Sequence, residues 1–261
     1  MKQRMLTAII GIIIIVPIIL YGGWPFLLTA YLLATVALFE LVRTYKLEKL
    51  MNYLFIATIF LWVLLYPQSD ISFEDFTVTK FDILIIFASI LLIAIVISKN
   101  KFTFDQASFF LLATLYIGVS FYYLIIVRFE GLNYFLFILF IIWATDSGAY
   151  FVGKYLGKRK LWPEISPNKT IGGAVGGILA AVFVAILFQW IYPFDKSYLS
   201  IFFIAIFISV VGQFGDLVAS AIKRHYDIKD FGKIFPGHGG ILDRLDSLIF
   251  VMLALSIIQF I

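Results

Sequence analysis

Residues 5–39 read MLTAIIGIIIIVPIILYGGWPFLLTAYLLATVALF and contain no charged side chain over 35 positions. A helix crosses the hydrocarbon core of a bilayer with about 20 apolar residues, so this stretch is too long for a single span. Residues 21–25 (YGGWP) lie in its middle and are typical of a turn. The stretch therefore predicts a tight hairpin of two membrane-spanning helices.

The composition of the whole chain extends this interpretation. Of 261 residues, 62% are hydrophobic and only 14% are charged, and the mean hydropathy is +1.03. A soluble domain carries about 25% charged residues. No cysteine is present, which excludes disulfides and thiolate-ligated metals. Since no polar stretch is long enough for a separate soluble domain, we expect one integral membrane domain over residues 1–261.

Seven further apolar segments follow the hairpin, each long enough to be a candidate span. They lie at about 50–67, 81–98, 107–127, 132–152, 171–192, 197–216 and 244–261. The sequence thus predicts an all-α fold, a polytopic transmembrane helix bundle of about nine spans. We expect residues 1–130 to serve as scaffold, for lipid contact or for dimerisation, and residues 131–261 to form the catalytic spans and cytoplasmic loops.

The distribution of basic residues predicts the orientation. With nine spans and a cytoplasmic N-terminus, Lys80, Arg128 and Lys196 fall outside, and the other 17 of the 20 Lys and Arg residues fall inside. Lys and Arg concentrate in cytoplasmic loops of membrane proteins. We therefore expect a multi-pass protein of the plasma membrane whose polar segments face the cytoplasm.

Carboxylates at the ends of three predicted spans share this face. Only 15 uncharged residues, 131–145, precede Asp146, which places it about 7 Å inside the cytoplasmic boundary. Asp216 ends one span, and Asp243 and Asp246 begin the last. Acidic residues within spans are costly and mark functional sites by default.

Helical spacing places these carboxylates on common faces. Asp216, Ser220 and Lys223 are related by i, i+4 and i+7, and Asp243 and Asp246 by i, i+3. Oxygen ligands without cysteine favour Mg²⁺. The alternative is that the same carboxylates form structural ion pairs with neighbouring Lys and Arg residues.

Two polar segments flank these spans. Residues 236–240 (PGHGG) stand just before the acidic start of the last span, where glycines and backbone N–H groups can approach a phosphate. Residues 146–173 are also rich in glycine and basic residues, and they provide a second candidate wall. Gly176 and Gly177 are interpreted instead as close helix-packing positions.

The run 220–246 resembles the signature of the phosphatidate cytidylyltransferase (CDP-diacylglycerol synthase) family. The matching positions are Ser220, Lys223-Arg224, Lys229-Asp230, Gly232, His238-Gly239-Gly240 and Asp243-Arg244-Leu245-Asp246. Residues 146–150 and 166–170 look like further elements of that family. Members often carry Trp-Glu-Gly after Lys-Thr, where this chain has Ile171-Gly172-Gly173, so no role of that glutamate is carried over.

This resemblance implies that CTP and phosphatidic acid react to CDP-diacylglycerol and pyrophosphate with Mg²⁺ as cofactor. The expected partners are these substrates and the lipid bilayer, and nucleic acid is not among them. A homodimer is a further possibility. The expected catalytic residues are Asp216, Lys223, Arg224, His238, Asp243, Arg244 and Asp246. Substrate binding is expected of Ser220, Lys229, Lys233, Gly239, Gly240, Ser166, Lys169, Thr170 and Tyr150. The expected metal ligands are Asp216, Asp243, Asp246 and Asp146.

Two other classes of function remain alternatives. A CTP-dependent polyprenol or phytol kinase would share the membrane architecture, but the full 220–246 signature argues against it. A proton-coupled transporter would also carry carboxylates within spans. A transporter would place these carboxylates near the middle of the membrane, with a path to the outer side. In this chain they gather at the cytoplasmic edge of the membrane instead.

Overall fold

The computed structural model describes residues 2–45, 50–68, 70–72, 77–235, 237, 239–258 and 260. Most of these residues lie in α-helices, and each of the nine predicted spans coincides with one of them. In chain order the helices are α1 (Lys2–Tyr21), α2 (Gly23–Thr44), α3 (Met51–Leu64), α4 (Lys80–Ile97), α5 (Phe104–Glu130), α6 (Leu132–Leu156), α7 (Ile171–Ile191), α8 (Tyr198–His225) and α9 (Leu242–Ile258).

Six of these helices are long and apolar enough to cross a membrane, namely α2, α4, α5, α6, α7 and α8. Residues 9–21 of α1 and the whole of α3 are apolar but shorter. Large apolar side chains such as Val96 and Trp190 are exposed on these helices, as expected where a helix faces lipid. The predicted all-α membrane bundle is confirmed, while the number of nine spans and the orientation stay predictions.

The predicted hairpin turn is present at the junction of α1 and α2. Gly22 and Gly23 have φ angles of 71° and 50°, and a single residue separates the two helices. Residues with a side chain rarely adopt such positive φ angles, whereas glycine does so readily. The two glycines therefore break the helix between α1 and α2 at the place where the turn is predicted.

Two short antiparallel hairpins were not predicted. One joins β1 (Asp70–Ser72) to β2 (Thr77–Thr79), and the other joins β3 (Lys160–Trp162) to β4 (Ser166–Thr170). Strands of three to five residues are too short to show a readable period of alternation. The second hairpin matters for the site, because β4 leads directly into α7 and carries Lys169.

The chain divides into two compact units. The first comprises residues 1–126 and 231–242, in which α1 to α4 pack against their neighbours in sequence. The second comprises residues 127–230 and 243–261, in which α6, α7 and α8 pack against one another. The predicted organisation as a single domain with a functional boundary near residue 130 stays a prediction.

Glycines allow α6 and α7 to lie close together. A Cβ added at Gly148 would lie 2.6 Å from the Cβ of Ala180, and one at Gly177 would lie 2.9 Å from the carbonyl oxygen of Thr145. A Cβ at Gly176 would collide with the side chain of Val152. The predicted packing role of Gly176 and Gly177 is confirmed, and it holds the helix that carries Asp146 against the helix that begins after Lys169.

Candidate functional site

Three carboxylates from three helices lie near one another in the second unit. Asp146 is on α6, Asp216 on α8 and Asp246 on α9, and each is close enough to the other two for their charges to repel. Lys169 attracts Asp146, and Lys223 attracts Asp246. The structure therefore brings together acidic residues that are up to 100 positions apart in the sequence.

The packing of α8 against α9 accounts for part of this proximity. A Cβ added at Gly215 would lie 2.7 Å from the Cβ of Phe250 and 2.9 Å from the carbonyl oxygen of Asp246. No larger residue fits at position 215 without moving the two backbones apart. Because Asp216 is the next residue along α8, its carboxylate is held beside the first turns of α9.

Lys169 forms an ion pair with the carboxylate of Asp216. Its Nζ lies 2.5 Å from Oδ2 of Asp216 and donates a second hydrogen bond, of 3.4 Å, to the carbonyl oxygen of Gln213. Both partners of the ion pair are partly exposed, so they stay accessible to an anionic ligand. Sequence reasoning assigned Lys169 to the substrate, and its position at the carboxylates is consistent with a cation that serves a phosphate.

A second ion pair joins the end of α8 to the start of α9. Nζ of Lys223 donates to Oδ1 of Asp243 over 2.9 Å, and the side chains are only 17% and 3% exposed. This is the structural ion pair that the sequence left open as an alternative for these carboxylates. The metal role of Asp243 stays a prediction. To bind a metal ion, the Asp243 carboxylate would have to bind it alongside Lys223 or give up its ion pair with Lys223.

The acidic residues do not form a complete metal cage by themselves. Across the described part of the chain, no three His, Asp or Glu side chains stand where they could together hold an ion. Magnesium is usually bound through one or two carboxylates plus the phosphates of its substrate. The donor chemistry of Asp146, Asp216 and Asp246 fits that mode of binding, since all their ligating atoms are carboxylate oxygens.

The helix α8 continues beyond the predicted end of its span at residue 216. It ends at His225, after which Asp227 takes a φ of 50°, a conformation that aspartate tolerates better than most residues. Ser220, Lys223 and Arg224 are thus on this helix, as the i, i+4 and i+7 spacing of Asp216, Ser220 and Lys223 predicted. Nε of Arg224, which is exposed, donates to the carbonyl oxygen of Ile165 over 3.4 Å.

The β3–β4 hairpin gives different roles to the residues predicted there. Thr170 is buried, and its hydroxyl accepts the N–H of Gly173 over 3.0 Å, which makes it the N-cap of α7. Ser166 begins β4 opposite Trp162 and is partly exposed. Tyr150 is exposed on α6, where Lys154 lies over its ring. Substrate contact stays a prediction for all three, and Thr170 also caps α7.

The segment Phe231–Leu242 belongs to the first unit and turns at two glycines. Gly237 and Gly239 have φ angles of 77° and 86°, and the N–H of Phe235 donates to the carbonyl oxygen of Gly239. The side chain of Lys233 is exposed, as are those of Lys229 and Arg244 in the second unit. His238, predicted to contact the triphosphate, lies outside the described residues.

Sequence reasoning missed Glu40. Its carboxylate is buried and accepts hydrogen bonds of 3.0 Å from the backbone N–H groups of Ile241 and Leu242. Gly240, which was interpreted as a position of close ligand approach, is buried against this carboxylate. The available signal was that Glu40 is the sole acidic residue of the apolar stretch 23–44.

A bundle of apolar helices, three of which bring acidic and basic side chains together, defines an integral membrane protein with a cluster of charged side chains. The sequence model of the cytidylyltransferase family matches residues 2–261, and the chain belongs to that family. The chain is similar to the phosphatidate cytidylyltransferase of Bacillus subtilis, with 48% identity over 97% of this chain and 95% of the relative. It is 42% identical to the enzyme of that name from Staphylococcus haemolyticus and 41% identical to that from Staphylococcus aureus, each over 99% of this chain and 98% of the relative. The family resemblance carried by residues 220–246 is confirmed.

We expect Lys223→Met to destabilise the protein by about 3–5 kcal/mol, because it leaves Asp243 buried without its cation. The double variant Lys223→Met/Asp243→Leu is expected to regain most of that stability, since an apolar pair needs no counter-charge. The measurement is the midpoint of thermal unfolding in detergent. Lys101→Met, at an exposed position, serves as the control and should change stability by less than about 0.5 kcal/mol. Equal midpoints for Lys223→Met and the control would contradict a stabilising ion pair.

Proposed function

We infer that this chain transfers the cytidylyl group of CTP to phosphatidic acid and so produces CDP-diacylglycerol and pyrophosphate in phospholipid biosynthesis. The observation that carries the inference is membership of the cytidylyltransferase family over residues 2–261. It is supported by relatives named phosphatidate cytidylyltransferase that are 41–48% identical over nearly their whole length. The chain is thus a membrane-bound nucleotidyltransferase.

The reaction requires no activation of a nucleophile. A phosphate oxygen of phosphatidic acid, which is already anionic, attacks the α-phosphorus of CTP. The new bond joins this oxygen to the cytidylyl group, and the bond to the β-phosphate breaks, so that pyrophosphate departs with its electrons. No proton has to be removed from the attacking oxygen, which is why a general base, including His238, is not part of the proposal.

The main obstacle is electrostatic repulsion between the two anionic substrates. Two unit charges about 4 Å apart repel by roughly 4 kcal/mol at an effective dielectric constant of 20. We propose that four cationic side chains reduce this repulsion, because positive groups attract both substrates and stabilise negative charge on the departing pyrophosphate. They are Lys169, Lys223, Arg224 and Arg244. The exposed guanidinium groups of Arg224 and Arg244 suit a phosphate that arrives from solution.

The proposal includes Mg²⁺ as the cofactor, with Asp146, Asp216 and Asp246 as candidate ligands, of which one or two would hold it together with the phosphates of CTP. Mutual repulsion among these three carboxylates would fall on binding a divalent cation. When bound, Mg²⁺ would neutralise part of the phosphate charge during the transfer. Asp243 is the fourth candidate ligand, and its ion pair with Lys223 gives it a second function in holding α8 to α9.

The remaining substrate assignments follow the family signature. Ser220, Lys229, Lys233, Gly239, Gly240, Ser166 and Tyr150 are proposed to contact CTP or the lipid headgroup. The proposed arrangement in the membrane has nine spans with the site on the cytoplasmic side of the plasma membrane. Cytosolic CTP would then reach the site from water, and phosphatidic acid would enter from the inner leaflet. The first 130 residues are proposed as scaffold and lipid-contact region, and a homodimer through them is compatible with this arrangement.

An acceptor assay tests the proposed function. Purified protein in detergent is incubated with radiolabelled CTP and Mg²⁺, and with phosphatidic acid, a polyprenol or no lipid. We expect label from the cytidylyl group to enter lipid only with phosphatidic acid. Transfer of the γ-phosphate to polyprenol would identify a kinase instead. No transfer to either lipid, together with proton-driven uptake of a solute into vesicles, would favour the transporter.

Asp246→Asn tests the proposed metal role. The substitution removes one negative charge and should lower turnover at least a hundredfold, as order of magnitude, while the protein stays folded in detergent. Activity is measured as CDP-diacylglycerol formed over a titration of Mg²⁺, with thermal unfolding as the check on folding. Asp105→Asn, in the exposed first turn of α5, is the matched control and should keep full activity. Full activity of Asp246→Asn would remove the metal role.

Reporter fusions test the proposed orientation. Alkaline phosphatase, which is active only outside the cytoplasm, is fused after Gln68 or after Gly157. We expect activity for the fusion after Gln68 and none for the fusion after Gly157, because nine spans with a cytoplasmic N-terminus place these residues on opposite sides. The reverse result would invert the orientation, and equal activity at both positions would contradict the number of spans.

A further inference from the structure

Glu40 is an acidic side chain inside an apolar helix. It lies on α2, is 2% exposed, and is the sole acidic residue between Gly23 and Thr44. An ionisable group in such a helix is costly and is retained where it serves a function. Glu40 has no role in the cytidylyl transfer as proposed above.

The carboxylate of Glu40 holds the beginning of α9. Its Oε1 accepts the N–H of Ile241 and its Oε2 accepts the N–H of Leu242, both over 3.0 Å. Leu242 is the first residue of α9, and backbone N–H groups at a helix start have no partner within the helix. A carboxylate is favoured at this position, because it makes charge-assisted hydrogen bonds and faces the positive end of the helix dipole.

Two glycines of the segment Phe231–Leu242 make room for this carboxylate. A Cβ at Gly232 or at Gly240 would collide with the carboxylate of Glu40. Gly232 does not have a positive φ, so its lack of a side chain is required by space rather than by backbone conformation. Glu40 therefore contacts the segment near both of its ends, at Gly232 and at residues 240–242.

We propose that Glu40 is a positioning residue for the nucleotide, acting through the segment Phe231–Leu242. This inference rests on the proposed function, because it takes the segment to bind the triphosphate of CTP. Glu40 fixes the backbone on which Lys233 and Gly239 are presented, and it holds the N–H of Leu242, the first residue of α9. It acts on the reaction through these groups and makes no direct contact with the reacting atoms.

The test variant is Glu40→Gln. An amide keeps the size of the side chain but offers one acceptor oxygen, and it turns an N–H donor toward the N–H of Ile241 or Leu242. We expect the KM for CTP to rise about tenfold or more, while the KM for phosphatidic acid stays within about twofold. A variant that merely folds less well would lose active protein and so lower kcat, with both KM values unchanged.

Glu130→Gln, at the exposed end of α5, is the matched control and should have wild-type kinetics. Gly232→Ala provides a second route, because it displaces the carboxylate of Glu40 without removing it, and we expect it to raise the KM for CTP as well. In a Glu40→Ala background, the added Gly232→Ala should have no further effect, since the colliding group is gone. If Glu40→Gln does not fold, Gly232→Ala carries the kinetic test.

Hydrogen exchange of residues 231–242 separates the proposed function from this inference. Glu40→Gln should speed exchange of the Ile241 and Leu242 amides, and Glu130→Gln should not. If the wild-type protein makes no CDP-diacylglycerol, the proposed function is refuted, and with it the nucleotide role of Glu40. Faster exchange in Glu40→Gln would then still show that Glu40 anchors the segment. Wild-type KM for CTP and unchanged exchange in Glu40→Gln, with an active wild type, would overturn the inference alone.

Discussion

The ion pair between Lys223 and Asp243 is the interaction on which the second unit depends. It lies between the end of α8 and the first turn of α9, and the Asp243 side chain is almost wholly buried. A buried carboxylate without a cation costs several kcal/mol, so the two helices are constrained to meet where the charges meet. That constraint determines where Asp246, three residues further along α9, stands relative to Asp216.

Glycines decide how closely those helices approach. Gly215 lets α9 lie against α8, and Gly148, Gly176 and Gly177 do the same for α6 and α7. Without these positions, the helix axes would stand further apart, and the charged side chains on them would be separated as well. The positions of the charged side chains therefore depend on small residues that act through helix packing.

One helix start in each unit is completed by a side chain. Thr170 caps α7, directly after the strand that carries Lys169, and Glu40 holds the start of α9, directly before Asp243. In an apolar environment an unsatisfied N–H is costly, so such capping fixes the backbone next to Lys169 and Asp243. Positions 170, 232 and 240 of the family signature thereby acquire a structural explanation that does not require contact with a ligand.

The sequence by itself determined the helical membrane architecture, the break between helices at Gly22 and Gly23, and the family, because long apolar runs and fixed motif spacing are local features. It also identified Asp146, Asp216 and Asp246 as a group, since span ends have readable depth. Only the tertiary structure decided that Lys223 pairs with Asp243, that Lys169 pairs with Asp216, and that Glu40 meets the N–H groups of Ile241 and Leu242. Glu40 and Leu242 are 202 positions apart, and nothing in either local sequence encodes the partner. Such pairings arise from helix packing, in which side-chain volume and buried charge are satisfied across the whole bundle at once.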